Sequence, residues 1–248
     1  DHADTAVAVA RSIGICGERD SAVTESELLA MEETERRRAI LSHTVFARTT
    51  PEFKLRIVRE LQAGGFVVAM TGDGVNDAPA LKAADIGCAM GRSGTDVAKE
   101  ASDLILADDN FATIVSAVRQ GRGIYENIKR TVHFLLSCNI GEIITVFAAI
   151  VARLPSPLAA VQLLWVNLVT DSLPAVALGL EKTDEDVMRR KPIKKGQGMF
   201  SFVDGLQIFF EGILIGILSL SAYLIGCRLE GHMTGRTMAF LVLSLSQL

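Results

Sequence analysis

The chain has 248 residues, of which 49% are hydrophobic and 22% are charged. Its mean hydropathy of +0.33 is too high for an ordinary soluble domain. The formal net charge of −4 provides no dominant basic face, which excludes a typical nucleic-acid-binding protein. The four cysteines are far apart and form no C-x-x-C pair, which excludes a disulfide framework and a zinc ribbon.

The charged residues are unevenly distributed along the chain. Of 54 Asp, Glu, Lys and Arg residues, 36 lie in residues 1–130 and 18 in residues 131–248, with ten of the 18 between 181 and 195. This distribution predicts that the first half is soluble and that the second half is membrane-embedded with one charged loop. Because the chain starts at Asp1 and stops at Leu248 inside an apolar run, we expect a segment of a longer protein.

In the soluble half, apolar β-branched runs alternate with helical patterns, which is typical of an α/β domain with a parallel sheet. Residues 17–47 are uninformative, except that the segment 17–35 is polar and acidic, for which we expect a solvated loop and helix. The predicted elements are helices at 5–13 and 54–62, a strand at 66–70, a helix at 79–84, a strand at 86–90, a helix near 94–102, a strand at 103–107 and a helix after 110.

The most informative segment of this half is TGDGVNDAP, residues 71–79. Asp73 and Asp77 fall at the carboxyl end of a predicted strand, where α/β sheets bind ligands, and could hold a Mg²⁺ that bridges to phosphate. A calcium EF-hand is excluded because Ala84 occupies the twelfth position, and no G-x-x-x-x-G-K-[ST] loop is present. An ordinary Asp/Asn/Gly turn stays an alternative.

Three windows of the second half are long enough to cross roughly 30 Å of hydrocarbon. Each contains a single charged residue, respectively Glu142, Asp171 and Glu211. The predicted membrane helices cover about 120–152, 158–180 and 205–227, with a truncated fourth at 237–248. Ten basic residues flank one side of these helices and three the other, which places residues 1–130 and 181–204 in the cytoplasm.

Ionisable groups at membrane depth are costly and usually have a partner or a task. Helical spacing places Asn139 and Glu142 on one face, and Asn167, Thr170 and Asp171 on another. Pro174 would disturb the second of these helices and free backbone carbonyls. Such oxygen ligands suit a hard cation such as Ca²⁺, and polar bonding between helices is the alternative. Glu211 stands alone, and we expect a structural or interfacial role.

Three segments together resemble the P-type ion-transporting ATPases, and the calcium-pump branch most. TGDGVNDAPAL at 71–81 resembles the family's hinge motif, RGIYENIK at 122–129 the entry to its fifth membrane helix, and LLWVNLVTDSLP at 163–174 its sixth. The resemblance implies a partial haloacid-dehalogenase-like α/β domain over 1–119, followed by an all-α multi-pass transmembrane bundle over 120–248. It also implies that ATP and Mg²⁺ are cofactors.

The resemblance assigns roles to individual residues. Asp73 would be the Mg²⁺ ligand, Asp77 would orient that site, and Lys54 and Asn76 would hold the transferred phosphoryl group. Neighbours of the phosphate site would be Asp1, Thr71 and Gly72. The transported cation would be bound by Asn139, Glu142, Asn167, Thr170, Asp171 and Gln247. Gln247 falls where two-ion sarcoplasmic-type pumps carry Glu and plasma-membrane-type pumps carry Gln, so the number of bound ions stays open.

The phosphorylated Asp of the family lies in an Asp-Lys-Thr-Gly-Thr motif, which this sequence lacks. The resemblance therefore implies part of an ATP-driven Ca²⁺ transporter in a plasma membrane, whose partners are the bilayer and the rest of the pump. We expect no ATPase activity from this chain alone and unpaired edges in its sheet. Specificity for Na⁺, Mn²⁺ or H⁺/K⁺, a passive ion-binding membrane module, and a soluble dehalogenase-type phosphatase are the alternatives.

Overall fold

The computed structural model describes residues 2–17, 21–193 and 196–247. The chain divides into two compact units, one of residues 1–116 with 192–197 and the other of residues 117–191 with 198–248. Small sheets and short helices make up the first unit, and long helices make up the second. The predicted order, an α/β domain followed by a helical bundle with helices long and apolar enough to span a membrane, is confirmed.

The first unit alternates short helices and strands. Its elements are α1 Ala3–Ser12, β1 Val23–Thr24, α2 Glu25–Ala30, α3 Glu33–Ser42, β2 Phe46–Ala47, α4 Pro51–Ala63, β3 Ala69–Gly72, α5 Ala78–Ala83, β4 Ile86–Met90, α6 Asp96–Glu100 and β5 Leu104–Leu106. One 3₁₀ turn, Val75–Asp77, joins β3 to α5. Helix α4 starts at Pro51 because Thr50 caps it by accepting from the backbone N–H of Phe53.

The three strands β3, β4 and β5 pair in parallel and in that order. Leu81, Ala89 and Ala98 form the buried core beside them. Strand β3 begins at Ala69, so the strand predicted at 66–70 was placed too early. The reason is that the N–H of Val68 donates to the Asp85 side chain, which leaves Ala69 as the first residue paired with β4. In the described part of the chain, β3 pairs on one side only.

Residues 17–35 were expected to be a solvated loop and helix. The helix is present as α2, but the segment is not simply solvated, because Val23 and Leu28 are buried in a core with Ile40 and Phe53. Strand β1 also pairs in parallel with β2. Helix α2 begins with a capping box in which Thr24 and Glu27 bond reciprocally. The hydrogen bond from the Thr24 backbone lowers the pKa of the Glu27 carboxyl below 4.5. The sequence did not predict this core, because the segment contains few apolar residues among many polar ones.

The second unit consists of long helices. Its elements are α7 Phe111–Val151, which starts in the first unit, α8 Ala160–Trp165, a π-helical turn Val166–Thr170, α9 Ser172–Gly179, a 3₁₀ turn Glu185–Met188, α10 Phe202–Glu230 and α11 His232–Ser246. Among the described residues, three helical stretches are long and apolar enough to cross a membrane: Phe111–Val151, Ala160–Gly179 and Phe202–Glu230. Helix α7 begins at Phe111, before the predicted membrane helix, because no proline interrupts residues 111–130.

Glycines bring α7 and α10 close together. A Cβ added to Gly212 or Gly216 of α10 would collide with Ile140 or Ile144 of α7. Four-residue spacing puts these glycines on one face of α10, which lets the two backbones approach as small residues do in membrane helices. This contact fixes the part of α7 that contains Glu142.

Candidate functional site

The turn after β3 holds its second carboxylate in place from two sides. The Nζ of Lys54, on α4, lies 2.7 Å from Oδ1 of Asp77. A Cβ on Gly72 would lie 2.5 Å from the Asp77 Cβ, so only glycine allows the strand to pass this close to the carboxylate. Asp77 is 8% exposed. The structure thus places Lys54, Gly72 and Asp77 together.

The first carboxylate of the turn is more accessible. Asp73 and Asn76 are exposed, whereas Thr71, in β3, is half-buried. The backbone carbonyl of Asp73 accepts a 2.8 Å hydrogen bond from the N–H of Thr95. The turn therefore offers one fixed carboxylate–ammonium pair and two exposed polar side chains at the carboxyl end of β3. Asp1 lies outside the described residues.

This donor set fits a magnesium ion better than an ion that requires a complete protein cage. The described residues contain no group of three or more His, Cys, Asp or Glu side chains that could hold a metal. Two carboxylates at the end of a strand match Mg²⁺, which keeps several waters and accepts phosphate oxygens as ligands. Asp73 and Asp77 are the residues of this turn that could supply them.

A second group of polar residues lies among the apolar helices of the second unit. Nδ2 of Asn167 donates a 2.9 Å hydrogen bond to Oε2 of Glu142, which links the π-helical turn to α7. Glu142 is 7% exposed and Asp171 is 1% exposed. Within the described residues, Oε1 of Glu142 and both carboxylate oxygens of Asp171 have no hydrogen-bond donor. Three carboxylate oxygens are thus buried without a partner, which costs free energy unless a cation or a proton neutralises the charge.

The backbone around Asp171 departs from a regular α-helix. The N–H of Asp171 donates to the carbonyl of Val166, five residues earlier, over 2.9 Å. Pro174 has no N–H to donate to the carbonyl of Thr170, which is 9% exposed. The departure from regular helix expected from Pro174 is therefore present. It takes the form of a π-helical turn, a distortion that is frequent at functional sites.

The remaining predicted cation ligands are placed differently. Gln247, directly after α11, is 5% exposed, and neither its amide oxygen nor its amide nitrogen has a partner among the described residues. Asn139 is exposed, and its Nδ2 donates to the carbonyl of Leu135 in its own helix over 2.7 Å. The structure brings Asn167 and Glu142 into direct contact, whereas the described hydrogen bond of the Asn139 side chain is to Leu135. Its role as a ligand stays a prediction.

Glu211 does not stand alone, contrary to the expectation from the sequence. Its Oε2 lies 2.8 Å from Nε2 of His133 and accepts a 2.9 Å hydrogen bond from Ser137, and both residues lie on α7. Gln207 donates to Oε1 of Glu211 over 2.9 Å. The four-residue spacing of 133 and 137, and of 207 and 211, could have indicated two facing polar turns. Nothing in the sequence specified that the two helices are neighbours.

The charged segment after α9 is attached to α7 by ion pairs. Arg130 lies 2.7 Å from Glu181 and 2.8 Å from Asp184, and Arg190 lies 2.6 Å from Glu126. These groups are partly exposed, so each pair stabilises little alone, and the network mainly restricts the loop. Lys194 and Lys195, counted in the orientation argument, lie outside the described residues.

Comparison with known proteins gives consistent matches for both halves. The family described as cation transporting ATPase, C-terminus, matches residues 155–248, and the haloacid dehalogenase-like hydrolase family matches residues 2–85. Calcium-transporting ATPase 1 of Bacillus cereus is 47% identical over 100% of this chain and 30% of its own length. The calcium-transporting ATPase of Bacillus subtilis is 46% identical over 100% of this chain and 28% of its own length. The endoplasmic reticulum calcium ATPase srcA of Aspergillus fumigatus is 48% identical over 87% and 22%, respectively.

Proposed function

We propose that this chain is the cation-binding and Mg²⁺-binding part of an ATP-driven Ca²⁺ pump. The chain belongs to the cation-transporting P-type ATPases. It spans less than a third of the length of the relatives cited above. The observation that carries the proposal is the pair of buried carboxylates, Glu142 and Asp171, whose oxygens have no donor among the described residues. Such a pair among apolar helices suits a cation as cargo.

The binding of the cargo follows from the chemistry of its ligands. Two carboxylates, the amide oxygens of Asn167 and Gln247 and the hydroxyl of Thr170 form an all-oxygen set, which favours Ca²⁺ over softer metals. The amide of Asn167 holds Glu142 by one oxygen and leaves the other free to face the ion. Asn139 stays a candidate for an outer position, and Gln247, being neutral, adds no negative charge to the site.

The turn after β3 would serve phosphoryl transfer. Asp73 and Asp77 would hold Mg²⁺, which neutralises phosphate charge when it is bound. Lys54 is held by Asp77 at a fixed point beside the turn, where its ammonium would attract a phosphoryl oxygen. Asn76, being exposed, would donate from its amide, and Thr71 and Gly72 shape the floor of the turn. The nucleophilic Asp and the nucleotide site would come from other parts of the pump, so this chain alone would not hydrolyse ATP.

The membrane assignment is also part of the proposal. Three apolar helical stretches support a multi-pass membrane protein. The excess of basic residues around 119–130 and 182–195 supports a cytoplasmic position for residues 1–130 and 181–204. We place the pump in the plasma membrane, with the lipid bilayer and the remaining pump segments as its partners.

The test uses the full-length protein in sealed membrane vesicles. ATP-driven uptake is measured with Ca²⁺, Mn²⁺ and Na⁺ in parallel, for wild type, Asp171→Asn and Glu211→Gln. We expect uptake of Ca²⁺, its loss in Asp171→Asn and its retention in Glu211→Gln, because Glu211 is already satisfied by His133 and Ser137. Uptake of Na⁺ or Mn²⁺ without Ca²⁺ would move the assignment to another ion, and Ca²⁺ uptake by Asp171→Asn would contradict it.

A further inference from the structure

The segment that leads into α7 contains a carboxylate held by an unusual number of backbone donors. Oδ1 of Asp109 accepts hydrogen bonds from the N–H of Gly91 (2.7 Å) and Arg92 (2.9 Å), and Oδ2 accepts one from Ser93 (2.8 Å). Three successive backbone N–H groups that converge on one anion form a nest. Asp109 adopts φ 54°, a conformation that Asp tolerates better than most residues.

The loop held in this way is also attached to the turn after β3. Residues 91–95 join β4 to α6, and the N–H of Thr95, at the end of this loop, donates to the carbonyl of Asp73 over 2.8 Å. A Cβ on Gly91 would lie 2.7 Å from the carbonyl oxygen of Leu106, so the loop runs against the end of β5. The loop is therefore attached at one end to Asp73, and at the other to the carboxylate of Asp109 and to the carbonyl of Leu106, which accepts a 2.9 Å hydrogen bond from the N–H of Gly91.

On the other side, Asp109 lies in the short segment that leads directly into α7. The side chain of Asn110 accepts from the N–H of Ala112, and Asp108 accepts from the hydroxyl of Thr113. Asp109 stands two residues before Phe111, the first residue of α7, and Glu142 lies on the same helix. A displacement of the start of α7 must therefore either carry the loop 91–95 with it or break three charge-assisted hydrogen bonds.

We propose that Asp109 is a positioning residue that fastens the start of α7 to the loop holding Asp73, and so couples the cation-carrying helix to the Mg²⁺-binding turn. This inference rests on the proposed function. Asp109 would touch neither phosphate nor cation, and would act through the loop 91–95. The matched control is Asp108, an adjacent carboxylate whose described side-chain bonds stay within residues 108–113.

The test compares wild type, Asp109→Asn, Asp109→Glu and Asp108→Asn in the full-length pump. Two quantities are measured: the Mg²⁺ concentration for half-maximal ATP hydrolysis, and the number of Ca²⁺ transported per ATP hydrolysed. In Asp109→Asn we expect the first to rise about threefold or more and the second to fall, since a neutral amide cannot accept from all three donors. The Ca²⁺ concentration for half-maximal hydrolysis should stay unchanged, which a general loss of structure would not allow.

Hydrogen exchange of residues 90–95 provides a second measurement on the same proteins. Exchange there should accelerate about tenfold in Asp109→Asn and stay at the wild-type rate in Asp108→Asn. If Asp109→Asn does not accumulate, Asp109→Glu, which keeps the charge, is used in its place. The Mg²⁺ concentration for half-maximal ATP hydrolysis should rise in this variant as well. Wild-type values in both Asp109 variants, or equal effects in Asp108→Asn, would overturn the inference. Absence of Ca²⁺-dependent hydrolysis in the wild type would instead overturn the proposed function.

Discussion

The two candidate sites of this chain satisfy their charges in opposite ways. In the turn after β3, the Asp77 carboxylate has an ammonium partner, Nζ of Lys54, at 2.7 Å. Among the membrane helices, Asp171 is 1% exposed and no donor in the described residues reaches either of its oxygens. A site that keeps a resident partner is suited to position a reacting group, whereas a site with unsatisfied oxygens is suited to take up and release an ion.

The largest expected effect is on the pair at the turn. Replacing Lys54 by Met leaves the Asp77 carboxylate without its ammonium and removes a cation from the phosphate site. We expect steady-state phosphorylation of the full-length pump by ATP to fall by about 10²–10³-fold, the usual cost of losing one preorganised charge at a reacting group. The control is Lys82→Met, because Lys82 is an exposed residue of α5. Equal phosphorylation of wild type and Lys54→Met would remove Lys54 from the site.

The next effect concerns the two partners at the cation site. Glu142→Gln removes a charged ligand, and we expect the Ca²⁺ concentration for half-maximal hydrolysis to rise about tenfold to a hundredfold. Asn167→Ala should produce a smaller rise, because it removes one neutral ligand and the donor that orients Glu142. If Asn167→Ala weakened Ca²⁺ activation more than Glu142→Gln, the relative roles given to these residues would be wrong.

A third effect concerns the stability of the second unit, in which α7 packs closely on α10. Gly216→Val would force a side chain into Ile144 of α7, and we expect it to destabilise the detergent-solubilised pump by about 1–3 kcal/mol. Gly205→Val is the matched control in the same helix, since an added Cβ there meets no atom within 4 Å. Thermal unfolding of the two variants checks this, and equal melting temperatures would contradict the close packing of α7 on α10.

The smallest effect is a pH dependence in the first unit. The hydrogen bond from the N–H of Arg92 lowers the pKa of Asp109 from 3.8 to about 2. Because the pKa is depressed in the folded state, the stabilisation by Asp109 is fully present above about pH 4 and is lost as pH falls towards 2. The difference in unfolding free energy between wild type and Asp109→Asn should therefore be constant at neutral pH and shrink in acid. A difference that grows in acid would contradict this assignment.

Much of the fold could be predicted from local patterns. Strand β4 occupies the predicted residues 86–90, and Pro79 lies in the first turn of α5, as proline prefers. The start of β3 depended on a bond between Val68 and Asp85. The order of strands and the partners of Glu211 also depend on pairings between distant segments, and no local pattern specifies such pairings.

The candidate site was predictable to a similar extent. Spacing alone selected Glu142, Asn167 and Asp171, and the contact between the first two is present. The same spacing argument also selected Asn139, which lies exposed and bonded to Leu135. Helical periodicity identifies a face with an uncertainty of about one residue, and a side chain at its edge can bond to its own backbone instead. The nest around Asp109 could not be seen, since its donors are backbone groups 16 to 18 residues away.

The most direct test of the account separates the two sites within one protein. Binding of Ca²⁺ at equilibrium is measured on the purified full-length pump, together with its phosphorylation by inorganic phosphate in the absence of Ca²⁺. We predict that Asp171→Asn loses saturable Ca²⁺ binding and keeps phosphorylation by phosphate, because the turn around Asp73 and Asp77 is unchanged. Wild-type Ca²⁺ binding by Asp171→Asn would contradict the assignment of the buried carboxylates as the cargo site.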